Sequence, residues 1–309
     1  MSLAFVFPGQ GSQSVGMQAD LVEQFVVVRD TWAEASDVLG FDLLALVAGG
    51  PADQLDETVN TQPAMLTAGV ATWRAWQEAG GATPVMMAGH SLGEYSALVA
   101  CGALGFRDAV SLVRRRAELM QGAVPAGQGA MAAILGLDDE QVLEACRRAD
   151  GIAEAVNFNS PGQVVVAGER AAVEMMVGLA REAGARRALM LPVSVPAHSS
   201  LMRPAGEALA TQIAETVFSD PKIEVICAVD GTPYSDGANI CARMQVQVYS
   251  PVRWVATIGH MIGSGVTSIV ECGPGKVLTG LIRRIDREVH TACLDSVGAI
   301  QTMNDGADE

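Results

Sequence analysis

Apolar positions along this chain recur in two rhythms, and the places where one gives way to the other outline the fold. Ala4 to Phe7 is a short unbroken apolar block that ends at Pro8-Gly9-Gln10-Gly11-Ser12-Gln13, the pattern of a buried strand running into a loop. Helical spacing occupies much of Gly16 to Leu39, and a long amphipathic pattern runs from about Thr61 to Glu78. Val85 to Ala88 is strand-like again, followed by a helix to about Cys101 and another from about Phe106 to Val124. That alternation predicts an α/β fold: a parallel sheet with helices on both faces.

Between Gln128 and Pro192 the rhythm changes. Ala130 to Leu137 reads as a strand and Asp139 to Arg148 as a helix. Ile152 to Phe158 and Gln163 to Ala167 read as two strands joined by a turn at Asn159-Ser160-Pro161-Gly162, followed by a helix over Ala171 to Ala183 and a strand over Arg187 to Leu191. The order β-α-β-β-α-β is that of a ferredoxin-like unit, here a small subdomain over 127–196 inserted into a larger one made of 1–126 and 197–309. After Pro196 the first rhythm resumes. Helices are expected near Ser199 to Val217, Ala238 to Val248, Pro251 to Ile262 and Lys276 to Arg287, with strands near Ile223 to Ile226, Ser268 to Cys272 and His290 to Leu294.

The most informative chemistry lies where the Val85 to Ala88 strand meets its helix. Gly89-His90-Ser91-Leu92-Gly93 is a Gly-x-Ser-x-Gly run placed between strand and helix, the pattern of a nucleophile elbow. The turn is too tight for side chains at the two glycines, and it leaves Ser91 at the helix start, where unpaired backbone N–H groups can receive an oxyanion. Glu94, in the first helical turn, offsets the positive end of the helix dipole.

A serine nucleophile needs a base. Of the four histidines, His90 adjoins the serine and should point away from it across the turn, His260 lies mid-helix and His290 opens a terminal strand facing solvent. His198 remains, on a loop bent at Pro196 and just ahead of a helix, a position suited to catalytic loops above a sheet. Acidic residues between Ser91 and His198, such as Asp138, Asp139, Glu140 and Glu154, fall in the small subdomain. A Ser-His dyad, its imidazole oriented by a backbone carbonyl or an amide side chain, therefore fits better than a triad.

Composition narrows the partners. A net charge of −15 repels nucleic acid, leaving only local clusters such as Arg114-Arg115-Arg116, Arg186-Arg187 and Arg283-Arg284 with Arg287 to meet an acidic partner. Half of the residues are hydrophobic, yet no apolar run reaches membrane-spanning length. The six cysteines are scattered, without metal-ligand spacing, as expected of a reduced cytoplasmic protein that binds no metal. Gly273-Pro274-Gly275-Lys276 lacks the order of a phosphate-binding loop, so nucleotide hydrolysis has no support.

Taken in register, Phe5-Val6-Phe7-Pro8-Gly9-Gln10-Gly11-Ser12-Gln13, Gly89-His90-Ser91-Leu92-Gly93-Glu94, Val156-Asn157-Phe158-Asn159-Ser160-Pro161-Gly162-Gln163 and Pro196-Ala197-His198 closely resemble the malonyl-CoA:acyl carrier protein transacylases of bacterial fatty acid synthesis. The resemblance implies an α/β hydrolase-like larger subdomain with a ferredoxin-like insert, and transfer of malonyl from malonyl-CoA to acyl carrier protein through an acyl-serine. By motif it makes Ser91 the nucleophile and His198 the base, gives the oxyanion to the backbone N–H groups of Gln10 and Leu92, and lets the carbonyl of Gln247 orient His198. It places the arginine that pairs the malonyl carboxylate at Arg116, and brings Gln62 to the acyl site. Asn159 belongs either to the pocket rim or to the Asn-Ser-Pro-Gly turn.

The resemblance further implies no cofactor beyond the CoA thioester substrate, a monomer, and an acidic carrier protein for which Arg186, Arg187, Arg283, Arg284 and Arg287 are docking candidates. Members often carry asparagine where this chain has Cys227-Ala228, a departure that removes a polar side chain from that strand. Alternatives on the same elbow are a serine esterase or thioesterase, or a transacylase serving polyketide or malonate metabolism. A non-catalytic carrier-binding module would be expected to have lost the serine or the histidine, and both are present.

Overall fold

The computed structural model describes residues 2–193 and 195–305. The chain opens with β1 (Leu3–Phe7) and five helices, α1 (Ala19–Gln24), α2 (Val26–Leu39), α3 (Leu43–Gly49), α4 (Ala52–Asp56) and α5 (Thr58–Glu78), followed by β2 (Met86–Gly89), α6 (Gly93–Ala100) and α7 (Phe106–Gly122). Next come β3 (Gly129–Leu135), α8 (Asp139–Arg148), β4 (Ala153–Ser160), β5 (Gln163–Glu169), α9 (Arg170–Glu182) and β6 (Arg187–Met190). A 3-10 turn at Ser200–Met202 leads into α10 (Arg203–Glu215), β7 (Glu224–Ile226), α11 (Gly237–Gln247), α12 (Trp254–Gly263), β8 (Ser268–Glu271), α13 (Val277–Ile285), β9 (His290–Cys293) and α14 (Val297–Asp305).

Every residue of β1 is buried, and its side chains alternate between two cores. Phe5 and Phe7 pack with Trp73, Trp76, Leu98 and Val113 from α5, α6 and α7, while Ala4 and Val6 pack with Trp254, Ile258, Leu278 and Ile282 from α12 and α13. A strand covered on both faces belongs at the centre of a parallel sheet, and β1 sits there. The order is β7-β2-β1-β8-β9, with all neighbours parallel.

The second sheet is antiparallel, in the order β4-β5-β3-β6. With α8 and α9 it has the connectivity of the expected ferredoxin-like unit. Ala130, Ala132 and Ile134 of β3 face those two helices, whereas Met131 faces Val156, Val165 and Leu191 on the other side.

Several boundaries differ from the sequence expectation, each for a local reason. The helical stretch over Gly16 to Leu39 divides into α1 and α2 because Phe25 is extended, at φ −108° and ψ 124°, and packs against the core instead of continuing the helix. Helices α3, α4 and α14 lie outside the expected elements. Helix α12 begins at Trp254 and not at Pro251, because the preceding backbone is pairing elsewhere: the Val252 N–H donates to Val156 O at 2.8 Å, and the Phe158 N–H donates to Val252 O at 2.9 Å. This seam joins the two subdomains beside the site. It also holds Asn159 and Ser160 within β4, so the connecting turn is reduced to Pro161-Gly162.

Candidate active site

Strand β2 ends at Gly89, and the chain reverses into α6 with Ser91 at the apex, in the left-handed region at φ 53°. Both glycines are sterically required. A Cβ on Gly89 would lie 1.9 Å from the carbonyl carbon of Gly93, and one on Gly93 would lie 2.0 Å from Phe7 O. Non-glycine residues in this conformation cost on the order of 1–3 kcal/mol, and Ser91 holds it because strand and helix fix both of its flanks.

His198 meets Ser91 from the far side of the chain. It too is left-handed, at φ 65°, and it is 3% exposed. Ser91 Oγ lies 2.7 Å from His198 Nε2. The other ring nitrogen, Nδ1, is 3.0 Å from two backbone carbonyls, Gln247 O and Ser250 O. Carbonyls only accept, so Nδ1 carries the proton and Nε2 presents a lone pair to the serine. Burial, followed by the field of Arg116, lowers the His198 pKa to about 3, so the ring is neutral at any physiological pH.

Arg116 reaches the same oxygen from α7. Its Nη2 donates to Ser91 Oγ at 3.2 Å and to Gln247 Oε1 at 3.1 Å, and its Nη1 donates to Gln62 Oε1 at 2.7 Å. It is 1% exposed, Tyr95 lies beneath it with the guanidinium carbon 5.8 Å from the ring centre, and Nε has no partner among the described residues. Burial lowers its pKa, opposed by the fields of Tyr95 and Glu94. Arg114 and Arg115 pair instead with Glu118 on the helix surface.

The loop after β1 leans over the elbow. A Cβ on Gly9 would come within 2.6 Å of His90 O and 3.8 Å of Leu92 N, so only glycine permits this approach. Neither the Gln10 nor the Leu92 backbone N–H has a hydrogen-bond partner among the described residues. Gln62 is buried and bonded to Arg116. Asn159 is bonded through Oδ1 to His90 Nε2 at 2.8 Å, which turns His90 away from Ser91. His260 is half-buried in the last turn of α12, and exposed His290 lies beside Ser268 at the start of β9.

Known proteins resemble this chain over nearly its whole length. An acyl transferase domain family matches residues 4–305. The malonyl CoA-acyl carrier protein transacylase of Salmonella typhimurium is 51% identical over 299 residues, covering 96% of this chain and 97% of that protein. That of Haemophilus influenzae is 50% identical over 305 residues, covering 98% of each. The chain belongs to the malonyl-CoA:acyl carrier protein transacylase family.

Solved members of this transacylase family superpose closely. An acyl carrier protein S-malonyltransferase from Vibrio cholerae matches with a TM-score of 0.96 and 52% identity, over 98% of this chain and 99% of that one. A malonyl-transacylase solved in complex with a type II polyketide acyl-carrier protein matches with a TM-score of 0.98 and 49% identity, over 99% and 100%.

Two participants in this transacylase site escaped the sequence reading. Ser250 O is the second acceptor for His198 Nδ1, and a main-chain carbonyl leaves no trace in residue type. Glu94 is fully buried, so its carboxylate does far more than offset a helix dipole. It accepts from the Ala228 N–H at 2.9 Å, the Tyr234 hydroxyl at 2.8 Å and Gln247 Nε2 at 2.8 Å. The Cys227-Ala228 segment, which follows β7 and has no polar amide side chain, thus still delivers a polar contact through its backbone. Among the described residues no His, Cys, Asp or Glu cluster could hold a metal ion, and no helix is long and apolar enough to cross a membrane.

Proposed function

We propose that the chain moves a malonyl group from malonyl-CoA to the phosphopantetheine thiol of acyl carrier protein by way of malonyl-Ser91. His198 Nε2 takes the hydroxyl proton as Oγ attacks the thioester carbonyl. The oxyanion is received by the Gln10 and Leu92 N–H groups, the C–S bond breaks, and His198 returns the proton to the departing CoA sulfur. In the second half the carrier thiol gives its proton to His198 and attacks the ester, and Ser91 recovers its hydrogen. Arg116 pairs the free carboxylate of the acyl group, with Gln62 steadying the guanidinium and Asn159, through His90, shaping the rim.

The observation that carries this reading is a buried guanidinium 3.2 Å from the nucleophile whose Nε has no partner among the described residues. An acyl group bearing a carboxylate satisfies it, and a plain acetyl group leaves it unpaired. Mixing the protein with malonyl-CoA and weighing it intact should show one malonyl adduct that persists until a pantetheine thiol is added. Rapid loss of the adduct to water alone would make the protein a thioesterase.

Around this centre we read a cytoplasmic monomer of two subdomains, 127–196 within 1–126 and 197–309, needing no cofactor. Its six free cysteines, four of them buried, fit a reducing compartment. The exposed Arg186, Arg187, Arg283, Arg284 and Arg287 offer positive charge to an acidic carrier.

The lowered His198 pKa has a visible pH signature. Because kcat/KM reports the free enzyme, the profile for malonyl-CoA should stay flat from pH 8 down to pH 5. An inflection near 6.5 would mean that an ordinary, solvated histidine is the base. The same shift acts on stability. The unfolded histidine binds a proton below its ordinary pKa of about 6.5 and the folded one does not, so this group costs stability progressively as pH falls from about 6.5 towards 3 and nothing above that range.

Gly9→Ala tests the oxyanion site. The added methyl must push the Gln10 loop off the elbow, and kcat should fall about a hundredfold, the scale of one lost oxyanion donor. An unchanged kcat in the folded variant would remove Gln10 from the oxyanion site.

A further inference from the structure

We infer that Glu94 is a positioning residue for acyl-group selection: it fixes the side-chain amide of Gln247 with its oxygen towards Arg116, and so keeps the guanidinium oriented yet free to take the carboxylate of the incoming acyl group. The inference rests on the malonyl-serine reading given above.

The argument begins with the amide. Gln247 Oε1 accepts from Arg116 Nη2 at 3.1 Å, while its Nε2 donates to Glu94 Oε2 and to Ser91 O, both at 2.8 Å. A primary amide can face either way, but this one lies between a guanidinium, which only donates, and a carboxylate, which only accepts. A single orientation satisfies both ends. The carboxylate is immobile in turn, because Oε1 accepts from the Ala228 N–H and the Tyr234 hydroxyl. Three elements thus converge on Glu94: α6 carries it, the segment after β7 supplies Ala228, and α11 supplies Gln247.

The amide also keeps the two charges apart. Direct contact would let the carboxylate occupy the guanidinium fork and fill the donors that an acyl carboxylate needs. One amide between them leaves Glu94 as the counter-charge of a buried arginine without blocking it, and burial of both groups strengthens that attraction. Because Nε2 also holds Ser91 O, the same amide ties the selecting arginine to the strained turn that carries the nucleophile.

Glu94→Gln tests the idea with almost no change in shape. Its amide cannot accept from all three donors, so Gln247 loses its fixed orientation and can turn its NH2 towards Arg116. Single-turnover acylation of Ser91, followed by intact mass at graded malonyl-CoA and acetyl-CoA concentrations, should show malonyl acylation falling ten- to a hundredfold, through KM more than kcat, with acetyl acylation falling far less. That range is what loss of hydrogen bonding at a charged group gives. A malonyl-to-acetyl ratio equal to wild type, including an equal fall of both, would reduce Glu94 to a packing residue and overturn the inference.

Should Glu94→Gln fail to fold, Tyr234→Phe decides. It removes one of the three donors and keeps the carboxylate, so the ratio should drop several-fold, and an unchanged ratio would again overturn the inference. If wild-type protein takes up no malonyl group, the functional reading fails instead, and the two failures are told apart by that single control.

Discussion

Ser91→Ala is expected to abolish the malonyl adduct and to lower transfer to the carrier thiol by about 10⁴-fold or more. The magnitude follows from the way nucleophile and base work as one unit. With Oγ gone, His198 Nε2, 2.7 Å from that atom in the native site, has no proton to take, and the oxyanion donors have no tetrahedral centre to receive. Folding should be unharmed or slightly improved, since alanine removes only a hydroxyl and the site loses a polar group that must be held in place. Intact mass after incubation with malonyl-CoA gives the answer directly. A full-size adduct on the alanine variant would show that another side chain is acylated and would dismantle the mechanism.

Arg116→Ala is expected to reverse the preference between acyl groups. Breaking a buried charge pair by removing one partner costs about 3–5 kcal/mol, so acylation by malonyl-CoA should fall by roughly 10²- to 10⁴-fold. Acetyl-CoA carries no second carboxylate, and for it the variant removes a buried guanidinium whose Nε–H the acetyl group leaves unsatisfied. Acetyl acylation should hold steady or rise. An equal loss with both donors would show that Arg116 supports the serine and does not read the carboxylate, a real alternative given its 3.2 Å contact with Oγ.

Much of this molecule was legible before any coordinate. The central strands were readable because their burial on both faces leaves unbroken apolar runs, and the inserted unit because the period changes abruptly on either side of it. The elbow was readable because sterics leave no choice at Gly89 and Gly93. What escaped notice depends on distance. Phe25 breaks a helix without any glycine or proline to announce it, since the reason is a packing contact. Pro251 looked like a helix start because the pairing of Val252 with β4, about a hundred residues earlier, is invisible in local periodicity. Glu94 had a sufficient local account in the helix dipole, and only its partners Ala228, Tyr234 and Gln247, remote in sequence, reveal a second one. Local rules read elements well. They read convergence poorly, and active sites are made of convergence.

The backbone seam at Val252 lies between the parallel-sheet body and the antiparallel unit. Ser91, Leu92, His198, Arg116, Gln10, Gln62 and Gln247 all lie outside the inserted unit, and of the residues proposed for the catalytic centre only Asn159 lies within it. In the proposed mechanism proton transfer and carboxylate recognition therefore fall to the parallel-sheet body, which meets the antiparallel unit through the two Val252 main-chain bonds and through side-chain contacts such as His90 with Asn159 and the Ser200 N–H with Glu154. Substitutions in the antiparallel unit that keep those contacts should therefore leave the Ser91–His198 pair in place.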